Sequence, residues 1–359
     1  MKDNGSNRLQ FLDWTRGLGA VIMLQGHAFH SLLRKDLRTS PVFLVSDFLG
    51  GMPSAIFLFL TGATLAFLMD SRERKGASPS QRLWASLRRA GFILSLALAQ
   101  RVQNSLAAPP GSGWSELLRV DILNAMGLAL LVMSPLAVVG AMHRVRIAAA
   151  AGVLIALASP WVSQLDMTRV PTAVRGYVAP DYAAFGFFPW AAFLAFGVSA
   201  GSLIRLLDAA QLQRAMRWAA GLGCALLIAS RYLSAIPYSI YAKSEFWLNS
   251  PWMIFGKLGG ILLMMAFAFI WTGYRANRWS WVRQLGTTSL LVYWVHLMVY
   301  GRWLAPWQAN LDLAHSALAA IALIAAMVGI SAARTHYRKI LAWFGAWRPQ
   351  PVTARVAGD

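Results

Sequence analysis

Charge is what this chain lacks most. Only 13% of its residues are Asp, Glu, Lys or Arg, against 57% hydrophobic, whereas a soluble chain of this length carries about a quarter charged. Half that fraction cannot coat a globular surface, which excludes an ordinary soluble enzyme and a disordered chain. The single cysteine, Cys224, excludes an intrachain disulfide scaffold. Acid is scarcer still: 14 Asp and Glu face 33 Lys and Arg, a net charge of +19. The basic residues are scattered between apolar runs and do not gather with stacking aromatics on one element, so nucleic acid is not an expected partner. In a membrane such an excess marks cytoplasmic loops and meets anionic lipid, which is an expected partner.

What is present is long apolar runs. A spanning helix takes about 20 mostly apolar residues, and runs of that length lie at 11–33, 46–69, 83–105, 119–141, 145–164, 182–206, 215–237, 250–273, 285–305 and 312–332. The expected fold is therefore all-α and polytopic, with about ten transmembrane helices. With the N-terminus inside, the inward connections hold 21 Lys and Arg and the outward ones 10. This bias places both termini in the cytoplasm. Residues 1–10 are polar and the first apolar run is of full span length, so the first helix serves as the targeting signal. The chain reads as one transmembrane domain over 1–340 with a cytoplasmic tail over 341–359, in a cell membrane (a bacterial inner membrane). Many of the sixteen Trp stand near span ends, as interfacial anchors do.

Ionisable groups inside spans mark function by default. On a helix turning about 100° per residue, Asp13, Arg16, Met23, His27 and His30 form one stripe about 100° wide. Arg16 and His27 are separated by about 16 Å along the axis, which puts Arg16 near the cytoplasmic end and His27 in the outer half. Asp13 and Arg16, at i and i+3, are spaced to neutralise each other. His27 and His30 could hold a metal, but no third ligand stands at a compatible spacing, and none is expected. Asp47, Ser54 and Thr61 share a face of the second span, and Asp47 starts at the depth where His27 and His30 finish. A carboxylate there would raise an imidazole's basicity and fix its tautomer, or simply cap its helix. Ser289, Tyr293, His296 and Tyr300 form a polar seam on the ninth span. Gly197 and Gly201, four residues apart, suit close helix packing and permit a homodimer. The densest basic patch runs from Arg72 to Arg89, and Arg88 and Arg89 enter the third span where a phosphate from the cytoplasm could meet them.

A cationic inner side, an intramembrane polar seam and an outward histidine suit an enzyme that takes a phosphate-bearing donor from inside and serves an acceptor outside. With no Ser-His-Asp order nearby, His27 is cast as general base for an acceptor hydroxyl or amine, or as nucleophile carrying an acyl-imidazole. Asp47 and Arg16 complete the expected catalytic set. Asp13, His30, Asn124, Ser289, Tyr293 and His296 are the expected substrate-binding residues.

Leu12-Asp13-Trp14-Thr15-Arg16-Gly17-Leu18, followed by Gln25-Gly26-His27, resembles the start of the transmembrane acyltransferase superfamily. Arg16 and His27 make the R-x10-H motif of its acyltransferase-3 branch. Over most of the chain the heparan-α-glucosaminide N-acetyltransferase branch is more similar, through Arg8-Leu9, Phe57-Leu58-Phe59-Leu60-Thr61-Gly62, Ile122-Leu123-Asn124-Ala125-Met126-Gly127, Phe196-Gly197-Val198-Ser199-Ala200-Gly201 and Ser289-Leu290-Leu291-Val292-Tyr293-Trp294-Val295-His296. The resemblance implies transfer of an acetyl or short acyl group from cytoplasmic acetyl-CoA, or another acyl-CoA, to an extracytoplasmic glycan. The second branch has asparagine where His27 stands and arginine where Ala125 stands. The animal enzyme's large lumenal insertions are absent, so its heparan substrate does not carry over. The rival readings are a proton-coupled transporter or flippase and a non-catalytic scaffold. Transporters often show matching halves, and the Arg16–His27 stripe has no partner five spans later.

Overall fold

The structure, a computed structural model, describes residues 9–107, 115–178, 185–236, 239–275 and 278–346. Among the described residues it is all-helical, apart from one isolated bridge between Leu33 and Leu311. The principal helices are α1 (Gln10–Leu32), α2 (Pro41–Gly50), α3 (Pro53–Arg74), α4 (Pro79–Ala107), α5 (Ile122–Met133), α6 (Ala141–Val162), α7 (Phe187–Leu206), α8 (Ala209–Leu233), α9 (Pro251–Tyr274), α10 (Trp281–Thr287), α11 (Ser289–Met298) and α12 (Leu313–Ala346). Among the described residues five stretches are long and apolar enough to cross a membrane: Pro41–Arg74, Ala141–Val162, Phe187–Leu206, Pro251–Tyr274 and Leu313–Tyr337. Helices α1, α4 and α8, of 23, 29 and 25 residues, have the length but are more polar. Ile122–Val138 and Ser289–Gly301 are apolar but shorter.

Three expected spans are divided. The run over 46–69 falls into α2 and α3, because Gly50-Gly51 carries no helix-favouring side chain and Pro53 restarts the helix at its first turn, where a missing N–H costs nothing. The run over 285–305 breaks at Thr288 (φ −121°, ψ 24°). There Thr287 and Thr288 both turn their hydroxyls back onto the Gln284 carbonyl, at 2.8 and 3.4 Å, in competition with the helix's own ladder. A π-turn over Val299–Trp303 follows α11. The run over 119–141 gives only the 12 residues of α5 and a 3-10 turn at Ser134–Val138. Of the expected tail, residues 341–346 continue α12, and 347–359 lie outside the described residues.

Tertiary contacts group the chain into two compact units, one over Met1–Gly19 and Gly51–Arg278, the other over Ala20–Gly50 and Trp279–Asp359. In the first, backbone packs on backbone. A Cβ on Gly62 of α3 would fall on the Leu194 carbonyl of α7, one on Gly197 would fall on the Phe59 carbonyl, and one on Gly201 would come within 2.7 Å of the Ala63 backbone. The small residues at Gly197 and Gly201 thus admit α3, an intramolecular neighbour. Gly223 and Gly259 let α8 and α9 approach in the same manner. Two carboxylates at the C-terminal end of α3 tie this unit together. Asp70 receives Arg74 at 3.0 Å and Arg205 of α7 at 2.7 Å. Glu73 receives Arg82 of α4 at 2.9 Å and the fully buried Arg144 of α6 at 3.1 Å.

The second unit joins the C-terminal part of α1 and α2 to α10–α12. Gly26 and Gly50 let α1 and α2 meet at backbone distance, and Ser46 donates to Gln25 at 2.9 Å beside that contact. The end of α1 is held by the loop after α11: Ala309 N–H donates to Ser31 O and Leu311 N–H to Leu32 O, and Arg34 N–H returns to Leu311 O, each at 2.9 Å. Gln284 donates to Ser331 and Thr335 of α12 at 3.0 and 2.8 Å, which secures the broken helix α10–α11.

Candidate active site

The second unit gathers four polar rings. His27 on α1, Tyr293 and His296 on α11, and Tyr300 in the π-turn come from segments that the loop bonds and the Gln284 contacts hold in place. The His27 and His296 rings lie 5.1 Å apart, nearly perpendicular at 83°. Tyr300 is 5.9 Å from His27 and 6.1 Å from His296, and Tyr293 is 5.6 Å from His296. The Tyr300 hydroxyl donates to the Leu24 carbonyl at 3.3 Å, one turn below His27, so its ring is fixed against α1.

Burial divides the two histidines. His296 is wholly buried, whereas His27 is exposed. The Nδ1 of His296 lies 3.0 Å from the Val292 carbonyl. A carbonyl can only accept, so Nδ1 carries the proton and the neutral ring has a bare lone pair on Nε2. That buried Nε2 has no hydrogen-bond partner among the described residues, which is uncommon for a buried polar atom. The site thus pairs an accessible imidazole with a buried one whose tautomer the backbone sets.

The remaining expected site residues fall in several places. Asp47 faces His30, at 3.8 Å and with both side chains exposed, so the imidazole it adjoins is that of His30. Ser289 opens α11, two turns before His296 and half-buried. In the first unit, Arg16 is paired with Asp13 at 2.9 Å near the start of α1. Asn124 is consumed locally. Its amide donates to the Tyr177 hydroxyl at 2.8 Å, and its carbonyl accepts from the Asp121 N–H to complete a capping box on α5. Asp121 is itself held by Arg101 at 2.6 Å. Arg88 is exposed, while Arg89, one residue on, turns inward toward the Thr64 hydroxyl at 3.4 Å.

Lys257 belongs to no polar stripe, and only its standing alone in an apolar run marks it. Its Nζ donates to the Gly51 carbonyl at 2.8 Å and lies 5.0 Å over the Trp190 ring. It therefore caps a carbonyl that the interruption before Pro53 frees. Among the described residues no three of His, Cys, Asp and Glu gather as metal ligands would.

The model of the heparan-alpha-glucosaminide N-acetyltransferase catalytic family matches residues 8–241. That stretch contains Arg16, His27 and Asp47 and stops short of Tyr293, His296 and Tyr300. No curated protein matches the chain.

Proposed function

From the premise that this chain belongs to the heparan-alpha-glucosaminide N-acetyltransferase catalytic family, and so to the acetyltransferases, we propose that it is a multi-pass membrane enzyme moving an acetyl or short acyl group from cytoplasmic acyl-CoA to a hydroxyl or amine of an extracytoplasmic glycan. On this reading all ten apolar runs cross or enter the bilayer, both termini are cytoplasmic, and the membrane is a bacterial inner membrane. The observation that carries it is the pairing of His27 with His296 in a segment the family match begins and the last helices complete.

The chemistry asked of the pair is modest. The acceptor oxygen or nitrogen bonds to the thioester carbonyl carbon, and the C–S bond breaks. The acceptor's proton passes to the His27 imidazole, then to the departing CoA sulfur. His27 is the accessible ring and takes the proton. His296 stands behind it with Nε2 unprotonated, a second acceptor in contact with the first. Removing a general base lowers a rate by about 10²–10⁴-fold.

The test uses purified protein, acetyl-CoA labelled in the acetyl group, and an extracted surface-glycan fraction. Label moves to the glycan with the native chain, and His27→Ala lowers that transfer at least 100-fold, by the same yardstick, while the thermal midpoint stays unchanged. Transfer undiminished in His27→Ala would remove His27 from the chemistry. Glycan flux without consumption of acetyl-CoA would replace the enzyme reading by a transporter.

A further inference from the structure

The hairpin between α3 and α4 builds a second site, distinct from the histidine pair. Helix α3 ends in a Schellman turn: Ala77 N–H donates to Arg72 O and Gly76 N–H to Glu73 O, both at 3.0 Å, with Gly76 at φ +75°. The chain thereby reverses within a few residues and α4 starts at Pro79. Leu68, Arg72 and Lys75 recur at i, i+4 and i+7, and Gln81, Trp84, Ala85 and Arg88 at i, i+3, i+4 and i+7. Each set occupies one helix face, and together they line an open cavity of about 610 Å³.

Charge in this hairpin is segregated. Its two carboxylates are spent elsewhere, Asp70 on Arg74 and Arg205, Glu73 on Arg82 and Arg144. Arg72, Lys75 and Arg88 line the cavity without an acid, are exposed, and have no ion pair among the described residues. Three uncompensated cations in one concave site repel each other, and an anion relieves that repulsion. The Arg72 and Arg88 guanidinium forks match phosphate geometry. Trp84, 61% exposed, offers an unpaired ring face beside them, and Leu68 and Ala85 contribute apolar surface between.

We propose that this cavity binds the phosphorylated end of a ligand, its phosphates on Arg72, Lys75 and Arg88 and its planar or apolar portion against Trp84. The source that fits the whole lining is an adenine nucleotide bearing several phosphates, as at the end of coenzyme A. That assignment rests on the acyl-CoA reading above. The other source of the same chemistry is the headgroup of an anionic phospholipid.

The experiment titrates the full chain in neutral detergent with coenzyme A and with adenosine 3′,5′-bisphosphate, and in parallel measures its binding to vesicles with and without phosphatidylglycerol. The variants are the double substitution Arg72→Ala with Lys75→Ala, Trp84→Leu, and Lys243→Ala as a remote charge control, each with its thermal midpoint. The expected result is binding of both nucleotides, weakened at least tenfold by the double variant, several-fold by Trp84→Leu and by added salt, and untouched by Lys243→Ala. Loss of phosphatidylglycerol binding in the double variant, with nucleotide binding intact, also upholds the phosphate site and names the lipid as its source. Coenzyme A and lipid binding both unchanged in the double variant overturn the proposal and leave the donor reading standing. A folded native chain that binds no coenzyme A defeats the donor reading, and the lipid arm alone then upholds or overturns the cavity.

Discussion

At the scale of single residues, what a short spacing controls was legible and what a fold brings together was not. Asp13 and Arg16 are three residues apart, and the 2.9 Å pair follows from helix geometry alone. Arg144 is the opposite case. Beside His143 and Arg146 it reads as a marker of a cytoplasmic turn, yet it is fully buried on Glu73, 71 residues away. Glu73→Ala strands two buried arginines, and we expect it to destabilise the protein by about 3–5 kcal/mol. Arg144→Met leaves Glu73 its bond to Arg82 and is expected to cost clearly less. Thermal unfolding in detergent ranks the two, and equal losses would contradict the shared clamp. His296→Asn tests the buried ring: the expected loss is in kcat, with acetyl-CoA affinity unchanged, because nothing ties His296 to the donor's phosphates. A variant that changes KM alone would recast His296 as a binding residue.

At the scale of elements, length follows from hydropathy and continuity does not. The runs over 46–69 and 285–305 are apolar enough on average to read as single spans, so hydropathy joins what the backbone divides. The signals of division were local ones, Gly50-Gly51 ahead of Pro53 and the paired Thr287-Thr288. Packing follows the glycines more closely. A Cβ on Gly197 meets backbone, which cannot yield as a flexible side chain does, so Gly197→Ala is expected to cost about 3 kcal/mol or more. Gly221 sits inside α8 with nothing within 4 Å of an added Cβ. Gly221→Ala should therefore stabilise by about 0.5–1 kcal/mol through helix propensity. Opposite shifts of the thermal midpoint are the expected result, and a neutral Gly197→Ala would deny the close crossing of α3 and α7.

At the scale of the whole molecule, composition was enough to read a membrane protein, and the basic bias of the connections is the argument for placing both termini inside, a proposal that labelling tests. Cys224 is the only cysteine, so Cys224→Ser clears the background for single reporters. In intact spheroplasts an impermeant maleimide is expected to label Ala242→Cys at once and Ser80→Cys only after permeabilisation. The reverse pattern would invert the topology. The second compact unit holds a further consequence, one of biogenesis. It is built from residues 20–50 and from those after 278, so His27 leaves the ribosome 269 residues ahead of the ring it faces. At about 5–20 residues per second that is a wait of roughly 15–50 seconds, through the insertion of most of the intervening helices. Until α11 arrives there is no histidine pair. On the proposed mechanism a chain halted before α11 is therefore expected to transfer nothing, and competence for chemistry waits until His296 has emerged.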